Sequence, residues 1–134
     1  WSTLKSSFAA GENYTASPIP LEIAKAAETN DIGAVRTVTS SPPDESKIFY
    51  EELVHNDDAT MTQSFKFSNG SEDATKNPFG LGNVVDVINV VPEGTGCKVF
   101  WRAFYDVPEG AEAPDVAPMF GAFMMALAEM TRKK

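Results

Sequence analysis

Apolar and polar residues alternate through most of the chain, and the pattern shifts to a three-to-four spacing near its C-terminal end. At the start, Trp1, Leu4 and Phe8 recur at spacings of three and four, which predicts a short helical turn or two within residues 1–16. Gly11 and Asn13 interrupt that pattern, and Pro18 and Pro20 require extended chain. Period-two segments follow. Leu21–Ala27 and Gly33–Ser40 flank the turn Glu28-Thr29-Asn30-Asp31 and predict a hairpin. Ser40-Ser41-Pro42-Pro43-Asp44 is a loop signal. Lys47–His55 predicts a strand, Asn56-Asp57-Asp58 a turn, and Thr60–Ser68 a strand with Met61, Gln63, Phe65 and Phe67 on one face. Asn69–Asn77 reads as a polar loop, Val84–Val91 as a β-branched strand, Pro92-Glu93-Gly94-Thr95-Gly96 as a tight turn and Lys98–Val107 as a final strand. Six strands joined in order by short turns predict an antiparallel meander.

The period then changes. Pro108–Pro114 is a loop, and Asp115 is placed to cap a helix running to about Thr131. Phe120, Phe123, Met124 and Leu127 form one apolar stripe at i, i+3, i+4 and i+7, with Met119, Met125 and Met130 around it. Arg132, Lys133 and Lys134 complement the helix dipole at its C-terminal end. The expected class is α+β: a curved antiparallel sheet that buries this stripe against its concave face. If the sheet curves more than the helix fills, a cavity is left, lined by aromatic, Met and Leu side chains.

Composition narrows the functions. The 134 residues suit a single domain, 1–134, with 43% hydrophobic and 22% charged residues. A formal net charge of −8 repels phosphate backbones, so no nucleic-acid partner is expected. No apolar run reaches the roughly 18 residues a transmembrane helix needs. One cysteine, Cys97, excludes an internal disulfide and a cysteine-rich zinc site, and one histidine, His55, argues against His-based metal sites and Ser-His-Asp arrangements. No P-loop, GxGxxG or calcium-type carboxylate cluster occurs, so neither cofactor nor metal is expected. The sequons Asn13-Tyr14-Thr15 and Asn69-Gly70-Ser71 matter only in a secreted protein. No signal-peptide pattern follows Trp1, and the compartment stays open, a soluble cytoplasmic setting being slightly favoured.

Several segments, taken in order, resemble the START-like (SRPBCC) superfamily of pathogenesis-related allergens, abscisic acid receptors and polyketide cyclase/dehydrase lipid-transport proteins. Asp31-Ile32-Gly33-Ala34-Val35-Arg36 resembles its "vGavR" strand, and Glu51-Glu52-Leu53 with Asp57-Asp58 its "E-x-L…D" strand and turn. Val99-Phe100-Trp101-Arg102-Ala103-Phe104 resembles its "v-x-W-x-a-x-f" strand, and Val107-Pro108-Glu109-Gly110 before the Met119-Phe120 helix completes the order. The resemblance implies a helix-grip fold: a seven-stranded curved sheet around a long C-terminal helix, with two short helices near the start. Family members carry a strand before the tryptophan that opens the first short helix. The expectation is that this strand is cut, left out or supplied by a partner chain. Its absence would leave open sheet edges where a protein partner or a second copy could pair.

The resemblance also turns the face of Phe49, Glu51, Leu53 and His55 inward. There Glu51 either orients a ligand's polar group, with burial raising its pKa, or is solvated or paired with a basic residue. The helix stripe Phe120, Phe123, Met124 and Leu127 becomes one cavity wall, and Met61, Gln63, Phe65 and Trp101 the opposite one. Gln63 and Glu51 are the candidates to orient a guest. Asn77-Pro78-Phe79-Gly80-Leu81-Gly82 reads as a mobile loop, and Pro42-Pro43 stiffens the loop before it. His55, at a strand end beside a turn, reads as either a general base or a solvated residue, with solvation favoured, and Cys97, after a Gly-rich turn, has no expected chemical role. The first expectation is a noncatalytic binder of a small hydrophobic molecule (lipid, isoprenoid, pigment or polyketide). The alternatives are a polyketide cyclase/aromatase-type enzyme moving protons through Tyr50, Glu51 or Tyr105, and a structural subunit with a closed cavity.

Overall fold

The computed structural model describes residues 1–11 and 21–134. Two one-turn helices, α1 (Ser2–Lys5) and α2 (Ser7–Ala10), open the chain. The expected extended segment at Pro18 and Pro20 and the Asn13 sequon lie outside the described residues. Six strands follow: β1 (Leu21–Lys25), β2 (Val35–Ser40), β3 (Phe49–Asp57), β4 (Thr62–Ser68), β5 (Gly82–Glu93) and β6 (Gly96–Asp106). They pair in sequence order, each antiparallel to the next. Helix α3 (Ala117–Arg132) closes the chain. The fold is α+β, a six-stranded antiparallel sheet with one long C-terminal helix.

Several boundaries move for identifiable reasons. The β5–β6 hairpin tightens to a two-residue turn, Gly94-Thr95, so the strands run past Pro92 to Glu93 and resume at Gly96. Gly94 has φ 57°, which a hairpin this tight demands at its first turn position. Helix α3 starts one residue later than an Asp115 cap implies: Val116 holds the cap position. Asp115 still contributes, its Oδ1 accepting the Ala117 N–H at 3.2 Å. Met61, expected on the β4 face, instead sits in the β3–β4 turn with φ 47°.

The alternation in β3 also breaks. Leu53 pairs with Phe65 and His55 with Ser64, so Val54 is an extra residue on its strand. A bulge of this kind reverses which residues face inward beyond it. His55 is therefore exposed, not inward with Phe49, Glu51 and Leu53. Asn56 takes the inward phase opposite Gln63, and its Nδ2 donates to the carbonyls of Lys5 and Asn30.

The concave face is filled in two parts. In one, Leu4 and Phe8 from α1 and α2 pack with Leu53, Phe65, Ile88, Val90 and Leu127. In the other, Phe123 and Ala126 of α3 meet Leu21, Val38, Phe49, Phe67, Leu81 and Val84, and among the described residues α1 and α2 add nothing. Helix α3 thus lies across the sheet with its stripe facing in, as a helix-grip requires. Among the described residues, the edges of the sheet are β1 and β6. The outer face of β6 exposes Phe100 (49%) and Phe104 (57%).

Candidate functional site

A cleft remains in the half of the concave face that α1 and α2 do not fill. It is lined from every strand and from the first turns of α3, including Ile23, Val38, Phe49, Phe67, Val84, Tyr105, Met119, Phe120 and Phe123. The unfilled space measures about 620 Å³ with its open mouth included. The cleft is narrow because aromatic rings crowd it. Trp101 stacks on Phe120 (ring centroids 5.3 Å apart) and on Phe123 (5.6 Å). Phe79 meets Phe49 edge-on at 5.4 Å.

Phe79 and Leu81 reach the cleft from the loop between β4 and β5. That loop, expected to be mobile, is tied together by one side chain. Asn77 Nδ2 donates to the carbonyls of Ser71 (2.8 Å), Asp73 (3.1 Å) and Leu81 (2.7 Å), while its Oδ1 accepts the Phe79 N–H at 3.0 Å. A buried amide making this many bonds to backbone holds the loop's shape.

Three charged side chains line the same cleft: Arg36, Glu51 and Asp86, at 4%, 8% and 6% exposure. Strand register brings them together. Arg36 of β2 stands opposite Glu51 of β3, and Asp86 of β5 stands opposite Phe65 of β4. Arg36 Nε donates to Glu51 Oε2 at 2.6 Å, a buried ion pair. The guanidinium also lies over the Phe8 ring, 4.2 Å from its centroid, with Phe65 at 5.4 Å. Asp86 Oδ1 accepts the Trp101 indole N–H at 3.0 Å. Burial pushes the Asp86 carboxyl up to about 7; the Glu51 carboxylate adds to the rise, and the Trp101 hydrogen bond and Arg36 oppose it. Of the two settings the sequence left open for Glu51, the structure has the one in which it pairs with a basic residue.

The sequence-named residues divide. Phe49, Glu51, Phe65, Trp101, Phe120 and Phe123 line the cleft. Leu53, Met61, Gln63, Met124 and Leu127 do not. Leu53 and Leu127 are buried in the α1–α2 half, and Met61 packs on its margin. Gln63, fully buried, turns its Nε2 to the Leu4 carbonyl at 2.8 Å and so anchors α1 to the sheet. Of the tyrosines, Tyr105 lines the cleft and Tyr50 does not. Sequence reasoning missed Arg36 and Asp86. The signal was there: Asp86 occupies the inward phase of the run Val84-Val85-Asp86-Val87-Ile88, and Arg36 shares the phase of Val38. A charge in the apolar phase of a strand is costly unless it has a partner or a task.

Among the described residues, no group of three or more His, Cys, Asp or Glu is placed to hold a metal ion. No helix there is long and apolar enough to cross a membrane.

A sheet gripping a C-terminal helix over a lined cleft defines the helix-grip class. Solved structures of norcoclaurine synthase from Thalictrum flavum share this fold. One matches with a TM-score of 0.58 at 19% identity, over 85% of this chain and 65% of that one. A second, in complex with dopamine and hydroxybenzaldehyde, matches at 0.57 and 19%, over 84% and 64%. A point mutant with a transition-state analogue matches at 0.57 and 19%, over 95% and 76%. The chain therefore spans about two thirds of the length of the first two. No protein-family model and no curated protein sequence matches it.

Proposed function

We propose that this chain binds a small, ring-bearing apolar molecule in the cleft between α3 and the sheet. The observation that carries the reading is the cleft itself, walled by Phe49, Phe65, Trp101, Phe120 and Phe123 with charged groups at one place only. Apolar walls supply affinity and a few polar groups supply orientation. A single aromatic ring burying about 150 Å² gains roughly 4 kcal/mol at 25 cal/mol per Å², before ordering costs. The neighbour solved with dopamine and hydroxybenzaldehyde supports small-molecule occupancy of this fold. A lipid, isoprenoid, pigment or polyketide would each supply such an apolar body.

Trp101 provides the assay. The chain has two tryptophans, so Trp1→Phe leaves Trp101 as its one indole. Titrating this variant with benzyl alcohol into the millimolar range should shift Trp101 emission, and native mass spectrometry of the purified chain should show a bound mass. Unchanged emission together with a bare mass would refute the binder.

One observation favours a second reading, catalysis. Asp86, pushed up to about 7 in an apolar cleft that Tyr105 also lines, has the protonation balance a general acid or base needs. A bound compound that returns chemically altered would support it; one that returns intact supports the binder alone. Edge strand β6, with Phe100 and Phe104 exposed, supports pairing with a protein partner or a second copy. Sedimentation as a monomer at high micromolar concentration would remove self-pairing.

A further inference from the structure

The open side of β6 carries a defined row of backbone groups. Val90 N–H donates to the Met61 carbonyl at 3.0 Å, so the even-numbered residues of β5 turn their N–H and C=O toward β4 and the odd-numbered ones toward β6. Opposite those odd-numbered residues stand Lys98, Phe100, Arg102 and Phe104, which therefore bond inward to β5. The N–H and C=O groups of Val99, Trp101, Ala103 and Tyr105 point out of the sheet, and among the described residues no strand pairs with them. The outward-facing side chains of the same strand, Lys98, Phe100, Arg102, Phe104 and Asp106, are all exposed. The row runs cation, ring, cation, ring, carboxylate.

From this row we infer that a second copy of the chain pairs antiparallel with β6, on a two-fold axis passing through Arg102. The inference rests on the edge-pairing reading of β6 above and adds the partner and its register. A two-fold axis in a continuous sheet sets outward residues against outward residues, so even-numbered positions face even-numbered ones. With the axis at Arg102, Lys98 stands against the partner's Asp106 and Phe100 against the partner's Phe104, and both contacts recur on the other side of the axis. These are non-hydrogen-bonded positions, where side chains of an antiparallel pair come closest and where aromatic and opposite-charge pairs both stabilise. Between them Val99 exchanges bonds with the partner's Tyr105, and Trp101 with the partner's Ala103, which satisfies the open row. Arg102 meets its own copy at the axis, the one unfavourable pair. Each planar guanidinium there is flanked by Phe rings on which it stacks, and it keeps its contact with water.

Other registers fit worse. A slip of two residues sets Phe100 against the partner's Asp106, or Lys98 against the partner's Phe104, and leaves no opposite-charge pair. A slip of four sets Lys98 against the partner's Arg102 in one direction, and in the other pairs only residues 102–106, because β6 ends at Asp106. The charged ends are available. Lys98 Nζ lies 2.6 Å from Glu93, and Asp106 Oδ2 accepts from Asn83 Nδ2 at 2.7 Å, exposed contacts that are exchanged at little cost. The net charge of −8 on each copy opposes approach at low salt, and this repulsion is screened over about 8 Å at physiological ionic strength.

Sedimentation of the full chain at physiological ionic strength should show a dimer forming at high micromolar concentration. Lys98→Asp alone and Asp106→Lys alone each set like charges opposite one another on both sides of the axis, and each should raise the dimer dissociation constant roughly tenfold or more. Mixed together, the two variants should regain the parent's affinity as a heterodimer, because the mixture restores both opposite-charge pairs. Cys97→Ser with Arg102→Cys should close an intermolecular disulfide on mild oxidation, the two Cα atoms lying about 4.5 Å apart. Cys97→Ser with Phe100→Cys should not, since those Cα atoms lie roughly 14 Å apart. A parent chain that stays monomeric at high micromolar concentration overturns the self-pairing of β6 and this inference together. A dimer indifferent to the charge reversals, a mixture that does not recover, or crosslinking through Phe100→Cys as readily as through Arg102→Cys overturns this register and leaves edge pairing standing. The crosslinking comparison does not depend on how well the charge variants fold, and none of these results touches the small-molecule reading of the cleft.

Discussion

Replacing Asp86 by Asn should make the protein more stable at neutral pH than the parent, by an amount that depends on pH in a defined way. The native Asp86 carboxyl is raised from 3.8 to about 7. A group raised in the folded state makes unfolding easier as pH rises, because the unfolded chain releases its proton first. The cost grows by about 1.4 kcal/mol per pH unit between the two values and levels at about 4 kcal/mol above pH 7. Asn carries none of it. The variant keeps an oxygen for the Trp101 N–H, bonded at 3.0 Å in the parent, but its amide brings two donors into a buried site at a cost of roughly 1–3 kcal/mol. That cost is the same at every pH, so the difference between two pH values isolates ionisation. Between pH 5 and pH 8 the stability of the variant relative to the parent should increase by about 3 kcal/mol, then stay flat. Urea unfolding of both proteins at half-unit pH steps measures this. A difference between the proteins that is flat from pH 5 to pH 8, or that falls, would refute a buried, proton-holding Asp86.

Glu51→Gln should destabilise by about 3 kcal/mol, because it strips the carboxylate from a buried guanidinium, whereas the double change Arg36→Met with Glu51→Leu should recover most of the loss in a urea cycle. The same Glu51→Gln change should move the Asp86 transition to lower pH, since one cause of its rise is removed. Phe123→Ala should cost about 3 kcal/mol in urea unfolding and open space that admits a naphthalene ring the parent refuses; unaltered size selection would argue against Phe123 as a wall. Gln63→Leu should lower hydrogen-exchange protection in α1, whose Leu4 carbonyl it holds, without changing benzyl alcohol affinity; a changed affinity would return Gln63 to the cleft.

The strand order and the C-terminal helix were legible because each is a local pattern: alternation for Leu21–Lys25 through Gly96–Asp106, and a three-to-four stripe for Ala117–Arg132. Alternation put Phe49 and Glu51 on one face of their strand, and the family resemblance turned that face, with Phe65 and Trp101, inward. The errors begin where one residue changes the phase. The extra Val54 turned His55 outward, and the positive φ of Met61 removed it from the strand. Neither is written in a pattern of apolar and polar letters, since a bulge and a left-handed turn depend on how the neighbouring strand pairs.

What the sequence determined by itself was the kind of layer each segment could form and the greasy stripe that had to be covered. Only the assembled structure decided where the covering left room. Leu4 and Phe8 fill one half of the concave face, so Leu53, Gln63 and Leu127 became core there while Phe49, Trp101 and Phe123 came to border a cleft. It also decided the charge of that cleft, because Arg36, Glu51 and Asp86 come from three strands and meet only once those strands are in register. Burial is a property of neighbours distant in sequence, and the same carboxyl that ionises freely in water holds its proton near pH 7 among them.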